Sequence, residues 1–398
     1  MYARQVLISI VLLSAIVAGQ TATAQVYPTT VQAFLVPPPA ERGSEAGVLR
    51  RLPRADCDVA ASPLCGVQLV DYTSGGEAPA EGWTAEDKLC AECCPPFWAH
   101  RTGMFGEYLL LRPRGAEVPY AVPIDDALPD YPVQVAPVAI VDPDYSSGFR
   151  AGGSWALDQC TSIVATYTWF ESHTSQAVGE DVPLVLRSLV THPGTLNAAA
   201  DSLSASADLN VDFQFADLDY RAIWWLGECS VVNWSVGARY AQLSQEFDSL
   251  FTYTGTLDGV ASAVNFDGGG IRLGLDGERH HGSHGFLLYG KGVLSLIAGE
   301  FRASYFQGSD VDPEIVNTAW KAGRLVPILD LELGAGWQSP CGHFRFTAGY
   351  LVSMWFNTLT TDSWIRSVGQ NNFAGQADAI SYDTLTFDGL TARAEYRF

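Results

Sequence analysis

Basic residues are scarce. The chain of 398 residues has 23 Lys and Arg against 44 Asp and Glu, a formal net charge of -21. So acidic a chain has few positive patches to offer a phosphate backbone, which excludes ordinary nucleic-acid binding. Charge of either sign is thin, at 17% against the roughly 25% of an average soluble domain. Long apolar runs are missing too. A spanning helix needs about 20 consecutive apolar residues. The only run near that size, Val6 to Ala18, stands at the N-terminus. Helical membrane proteins are therefore excluded. Catalytic signatures are also lacking: there is no Gly-x-Ser-x-Gly, no His-Glu-x-x-His and no P-loop. His173 and His192 have Ser and Asp neighbours in sequence, but Ser-rich segments supply such sets by chance. No enzyme and no cofactor is expected.

What is present is apolar, aromatic and glycine-rich: 47% hydrophobic, 12% aromatic, 38 Gly. That excludes an intrinsically disordered chain and suits an all-β protein that hides its apolar surface by alternation. Met1 to Ala24 reads as a secretory signal peptide, with Arg4 as the positive region, Val6 to Ala18 as the apolar region and Ala22-Thr23-Ala24 as the cleavage site. Gln25 to Gly103 is Pro- and Cys-rich, irregular, and expected to be periplasmic.

From Met104 to Phe398 alternating segments follow one another, joined by short and long connections in turn. This is the pattern of a transmembrane antiparallel up-and-down β-barrel. Ten strands are expected: about Met104–Pro113, Gly148–Leu157, Cys160–Phe170, Val211–Leu226, Ser230–Ala241, Asp267–Arg279, Gly285–Arg302, Arg324–Trp337, Gly342–Phe356 and Phe387–Phe398. Eight and twelve are the neighbouring counts the pattern allows. The long connections are polar: Arg114–Ser147, Glu171–Asn210, Gln242–Phe266, Ala303–Gly323 and Asn357–Thr386.

Side chains alternate across a strand, so each strand splits into two faces. A soluble sandwich alternates as well. Three features favour the barrel. Aromatics (Trp155, Trp224, Trp234, Phe286, Trp337, Phe344, Tyr396) crowd the apolar faces beside the short turns, where an interfacial girdle belongs. Glycine is frequent on the opposite faces. The chain ends on Tyr396 and Phe398, which match the C-terminal signal by which the barrel assembly machinery recognises outer-membrane barrels.

The polar faces carry Arg150, Arg221, Arg239, Arg272, Lys291, Arg345, Arg393 and Arg397, with Glu107, Asp217, Asp219, Asp276, Glu278, Asp330, Glu332 and Glu395. Inside a barrel such charges must be hydrated or paired. They either line a water-filled channel or fill the lumen as a salt-bridged network, as side chains do in small barrels.

Several segments resemble the Legionella major outer membrane protein family: Phe105-Gly106-Glu107-Tyr108-Leu109-Leu110-Leu111-Arg112-Pro113, Phe266 to Asp276, Leu288-Tyr289-Gly290-Lys291, Val326 to Trp337, Trp355-Phe356-Asn357 and Asp388-Gly389-Leu390. The resemblance spans about Met104 to Phe398 and implies an outer-membrane barrel forming a passive pore. It supplies no catalytic residues and says nothing of Gln25 to Gly103.

Eight cysteines remain. Cys160, Cys229 and Cys341 fall beside short turns; Cys57, Cys65, Cys90, Cys93 and Cys94 lie in the N-terminal region. Export permits disulfides. One arrangement ties the N-terminal region beneath the barrel, and the other leaves the cysteines free or locally paired. Cys90-x-x-Cys93-Cys94 lacks the second pair that a structural zinc needs. His280, His281 and His284 cluster at a short turn, for which a solvated turn is the plainer account than a metal. No metal is expected.

The sequence thus points to a porin-like barrel for small hydrophilic solutes or ions, set in outer-membrane lipid. The alternative is a closed-lumen barrel for surface display, adhesion or envelope anchoring. The five long connections hold 20 acids and 4 bases. The acidity therefore belongs to one end of the barrel, where it would favour cations weakly at low salt.

Overall fold

The computed structural model describes residues 95–125, 133–252, 256–281, 285–371 and 383–398. Met1 to Ala24, expected to be a signal peptide, Cys57, Cys65, Cys90, Cys93, Cys94 and His284 lie outside the described residues. No helix among those described is long and apolar enough to cross a membrane.

Ten antiparallel strands close into a barrel. In chain order they are β1 (Gly103–Arg114), β4 (Ser146–Ala156), β5 (Thr161–Gly179), β8 (Ser204–Leu226), β9 (Ser230–Thr252), β10 (Leu257–His281), β11 (Phe286–Ser309), β12 (Val316–Gln338), β13 (Phe344–Thr358) and β14 (Asp383–Arg397). β1 closes the barrel on β14, Gly103 opposite Arg397. Both ends of the barrel therefore stand at the rim of the short turns. Four short strands form a separate sheet: β2 (Val118–Ile124), β3 (Ala139–Val141), β6 (Val185–Ser188) and β7 (Asp201–Ser202). One helix, α1 (Thr361–Asn371), follows β13.

The expected ten strands are all present, but six of them run at least seven residues further than the sequence reading placed them. Residues 171–179, 204–210, 242–252, 257–266, 303–309 and 316–323 were expected in polar connections and are strand. The link between β9 and β10 shrinks to 253–256, and that between β11 and β12 to 310–315. The cause is a reversal of the alternation. In the lower part of β9 the apolar side chains Trp234, Val236 and Tyr240 point out and Arg239 points in. Above Arg239 the inward face becomes Ala241, Leu243, Phe247 and Phe251, while Glu246 and Asp248 turn outward. β8 reverses between Asp217 and Phe215, and β12 between Asp330 and Ile328. A face read as polar loop is thus the wet outside of a barrel wall that has left the membrane.

Length agrees. Strands of 23 to 25 residues reach roughly 55 Å along the axis at a 45° tilt, against roughly 25 Å of apolar band. That band is visible on the outside. Trp155, Trp224, Trp234, Phe286, Trp337, Phe344 and Tyr396 are exposed at the short-turn end. Tyr108, Phe149, Tyr167, Tyr240 and Tyr350 form a second aromatic level. Just beyond it Arg302 pairs with Glu300 (2.8 Å) and Asp267 (3.3 Å), and Lys321 with Glu300 (3.0 Å). Charge on the outer face marks where lipid ends.

Candidate functional site: the barrel lumen

The lumen has three levels. At the short-turn rim, the segment before β1 turns into the barrel. Trp98 and Ala99 are buried against Ile223 and Val231. The Phe97 ring lies 4.5 Å from that of His280. His100 accepts the Ser162 hydroxyl at Nδ1 (2.8 Å) and faces Asn233 Oδ1 from Nε2 (3.1 Å), as a neutral ring does. Burial, with the Arg221 charge in support, pushes its pKa down to about 4. Arg101 donates to the Cys341 carbonyl (2.7 Å).

Above this, all sixteen charges selected from the sequence point inward. Arg239 holds Asp217 (2.7 and 3.0 Å) and Asp330 (2.7 Å). Asp330 also accepts the Ser353 hydroxyl (2.6 Å). Arg272 pairs with Asp219 and stands 3.3 Å from Asp217. A side chain at Gly237 would collide with Asp219 and the Leu218 carbonyl, so glycine there leaves room for this pair. Arg150 pairs with Glu107 (2.8 Å) and lies 3.7 Å from Glu332. Arg221 pairs with Asp276, and Arg345 with Glu278 (2.8 Å). Glu395 takes both Arg393 (3.0 Å) and Arg397 (2.6 Å). Lys291 joins none of these pairs.

Between the rim and the charged level lies a cavity of about 160 Å³. Its basic walls are Arg101, Arg150, Arg221, Arg272, Lys291, Arg345, Arg393 and Arg397; its acidic ones are Asp217, Asp219, Asp276, Glu278, Glu332 and Glu395. A chain of strongly negative charge thus encloses a chamber with a positive excess.

The third level is an apolar core. Phe170, Phe213, Phe247, Phe251, Phe266, Phe301, Trp355 and Phe387 fill the upper lumen with no exposure beyond 2%. α1 joins them. Thr360 caps its N-terminus, its hydroxyl accepting the Ser363 amide. Trp364, Ile365 and Val368 fall on one helical face and enter the core. Trp364 donates its indole N–H to the Ser304 carbonyl (3.0 Å), and the Gln245 amide bonds Leu359 O (3.0 Å) and Thr361 N. The small sheet contributes Val118, Tyr120 and Leu186 to the same core.

The sequence reading missed the rim segment, the apolar level and α1. The only available signal was the reversed alternation, since Trp98 to His100 stand in a region without period. The two histidines weighed for catalysis are apart: His173 is on the outer face of β5 beside Asn210, and His192 lies in the connection before β7. His280 stands 3.5 Å from Glu278. Among the described residues no three His, Cys, Asp or Glu side chains group as metal ligands.

A closed ten-stranded barrel with an apolar, aromatic-edged outer band and a charged interior defines the class of outer-membrane β-barrels. The chain belongs to the family of the Legionella pneumophila major outer membrane protein, whose model matches residues 107–398. No curated protein matches the sequence. Among solved structures it is similar to the outer membrane protease OmpT of Escherichia coli, at 11% identity and a TM-score of 0.42, covering 75% of this chain and 97% of that one. It is also similar to a Pseudomonas aeruginosa FadL homologue (7% identity, TM-score 0.19, 75% and 90% covered) and to the outer membrane channel DcaP of Acinetobacter baumannii (7%, TM-score 0.12, 75% and 97%).

Proposed function

We propose that this porin-like barrel is a channel shut in the described conformation, passing small hydrophilic solutes and ions when its charged waist parts. One observation carries the reading: the lower lumen is charged throughout and encloses a cavity of about 160 Å³. Desolvated charges are a cost to a wall that only anchors, since an apolar filling would hold as well or better. The stretches beyond the membrane band, upper strand ends and connections together, hold 20 acids against 4 bases, which supports a mild cation preference at the outer mouth that fades with salt.

The second reading, a permanently closed barrel for display, adhesion or anchoring, is favoured by the apolar upper level. Its packed aromatics leave a solute no wet path unless α1 moves.

Planar-bilayer recording of the wild type and Arg239→Ala separates the two. Discrete steps, larger or more frequent in the variant, support the channel. Silence from both, with heat-modifiable folding intact, supports the closed barrel. Anion-selective reversal potentials would remove the cation preference.

On the same reading, residues 1–24 direct export and residues 25–103 stay on the periplasmic side, with Tyr396 and Phe398 read by the assembly machinery. Both barrel ends at the short-turn rim support this placement. Disulfides then tie the N-terminal region to that rim. In support, Cys160, Cys229 and Cys341 all stand beside the short turns at that rim. They are the three cysteines among the described residues, and three cannot pair among themselves.

A further inference from the structure

Lys291 of β11 is flanked by two carboxylates that are both engaged elsewhere. Across β10 it faces Asp276, and across β12 it faces Glu332. Asp276 is gripped by Arg221 and accepts the Asn233 amide (3.1 Å). Glu332 accepts the hydroxyls of Tyr289 (2.7 Å) and Thr391 (3.2 Å), with Arg150 close by. Among the described residues Lys291 has neither an ion pair nor a hydrogen bond. Yet it lines the cavity. Arg272, Arg150 and Arg393, of its own sign, act on it, opposed by Glu332 and Asp219. Arg272 is buried with its Nε unpartnered. An ammonium among like charges, out of bulk water, requires a counter-charge. The cavity has room for one, since a water needs about 10–15 Å³ of such volume.

We propose that this chamber is a binding site for a small oxyanion, a phosphate or carboxylate group, held by Lys291 with Arg150 and Arg393 beside it. Lys291 supplies the point charge and the guanidinium groups supply directed donors. The site stands on the cavity alone and does not depend on whether the barrel conducts. It sets a basic inner chamber against an acidic outer mouth.

Calorimetry on the full-length folded protein in detergent tests it, with inorganic phosphate and acetate as probes at constant ionic strength. The expected result is saturable binding by the wild type. It should weaken at least tenfold in Lys291→Met and stay within a few-fold in Lys291→Arg. Phosphate binding without acetate binding narrows the class to phosphate; binding of both leaves it at oxyanions. No saturable binding by the wild type, or equal binding by Lys291→Met, overturns the proposal. If the Met variant does not fold, the wild type alone decides. Phosphate should protect Lys291 from a small acetylating reagent, as read by peptide mass mapping. Acetylation unchanged by phosphate likewise overturns the proposal.

Discussion

Arg239 on β9 reaches over three strands' width to Asp330 on β12, Nη1 to Oδ2 2.7 Å, while its other face grips Asp217 on β8. The guanidinium also lies over the Phe215 ring, 4.1 Å from the centroid. It therefore sits on the boundary between the charged and apolar levels and ties walls that share no backbone hydrogen bond. Only 3% of the side chain is exposed, so its removal strands two buried carboxylates. Arg239→Met is expected to destabilise the folded barrel by about 3–5 kcal/mol. Adding Asp217→Asn and Asp330→Asn to it should recover most of that loss, because the neutral amides no longer need a cation. Urea titration of the heat-modifiable band measures both. Additive losses in the triple variant would mean that the clamp is not the source of the cost.

Trp355 of β13 stacks on Phe215 of β8, centroids 5.2 Å apart and planes 16° from parallel, in the middle of the apolar level. Its indole N–H is buried without an acceptor. Truncation and conservative replacement should therefore diverge. Trp355→Ala opens a cavity and is expected to cost about 3–5 kcal/mol. Trp355→Phe keeps an aromatic stack and removes an unsatisfied donor whose burial costs about 1–3 kcal/mol. It should lie within about 1 kcal/mol of wild type by the same urea assay. A Phe variant as weak as the Ala variant would show that indole volume, not aromatic stacking, holds this level.

The barrel was legible because lipid imposes a simple rule on the lower strands: apolar out, polar in. Ser230 to Ala241 obeys it, and so the ten strands could be read from parity. The same rule misled above Arg239. There water is outside and protein inside, so Phe247 and Phe251 point in while Glu246 and Asp248 point out. The reversed stretch has the composition of a loop. Pairing partners were not legible at all. Arg239 and Asp330 are 91 residues apart, and which strands face each other across a lumen depends on closure, not on local pattern. The strands of the small sheet, as short as Asp201–Ser202, carry too few residues to show a period.

Disulfide mapping under non-reducing conditions has a defined expected outcome. Cys160, Cys229 and Cys341 stand beside the short turns and, on the proposed tie, are all bridged; their number is odd. At least one bridge should therefore join a peptide containing Cys160, Cys229 or Cys341 to one from Cys57–Cys94. Such a bridge would pin the segment leading into Trp98 and His100 against the rim. Finding bridges only within Cys57–Cys94 would sink the tie. Reduction of a tied protein should raise the susceptibility of the Phe97–Arg101 segment to protease while leaving the strands intact.

Acid should loosen that segment through His100. Its ring is neutral when docked, with burial holding its pKa at about 4 against an ordinary value of 6.5. The positive charge of Arg221 acts in the same direction; the Asn233 hydrogen bond and the charges of Asp276 and Asp158 oppose it. The undocked ring binds a proton more readily than the docked one, so docking is strongest above pH 6.5. It weakens as pH falls from there and levels off below about 4. A difference of that size corresponds to about 3 kcal/mol. Hydrogen exchange at the His100 amide, which donates to the Gln159 carbonyl at 2.8 Å, reads the opening directly. Protection should fall between pH 6.5 and 4 after correction for intrinsic exchange. His100→Gln can keep hydrogen bonds to Ser162 and Asn233 but cannot take up a proton, so its protection should be flat over the same range. A wild-type profile as flat as the variant's would show that His100 does not govern the rim.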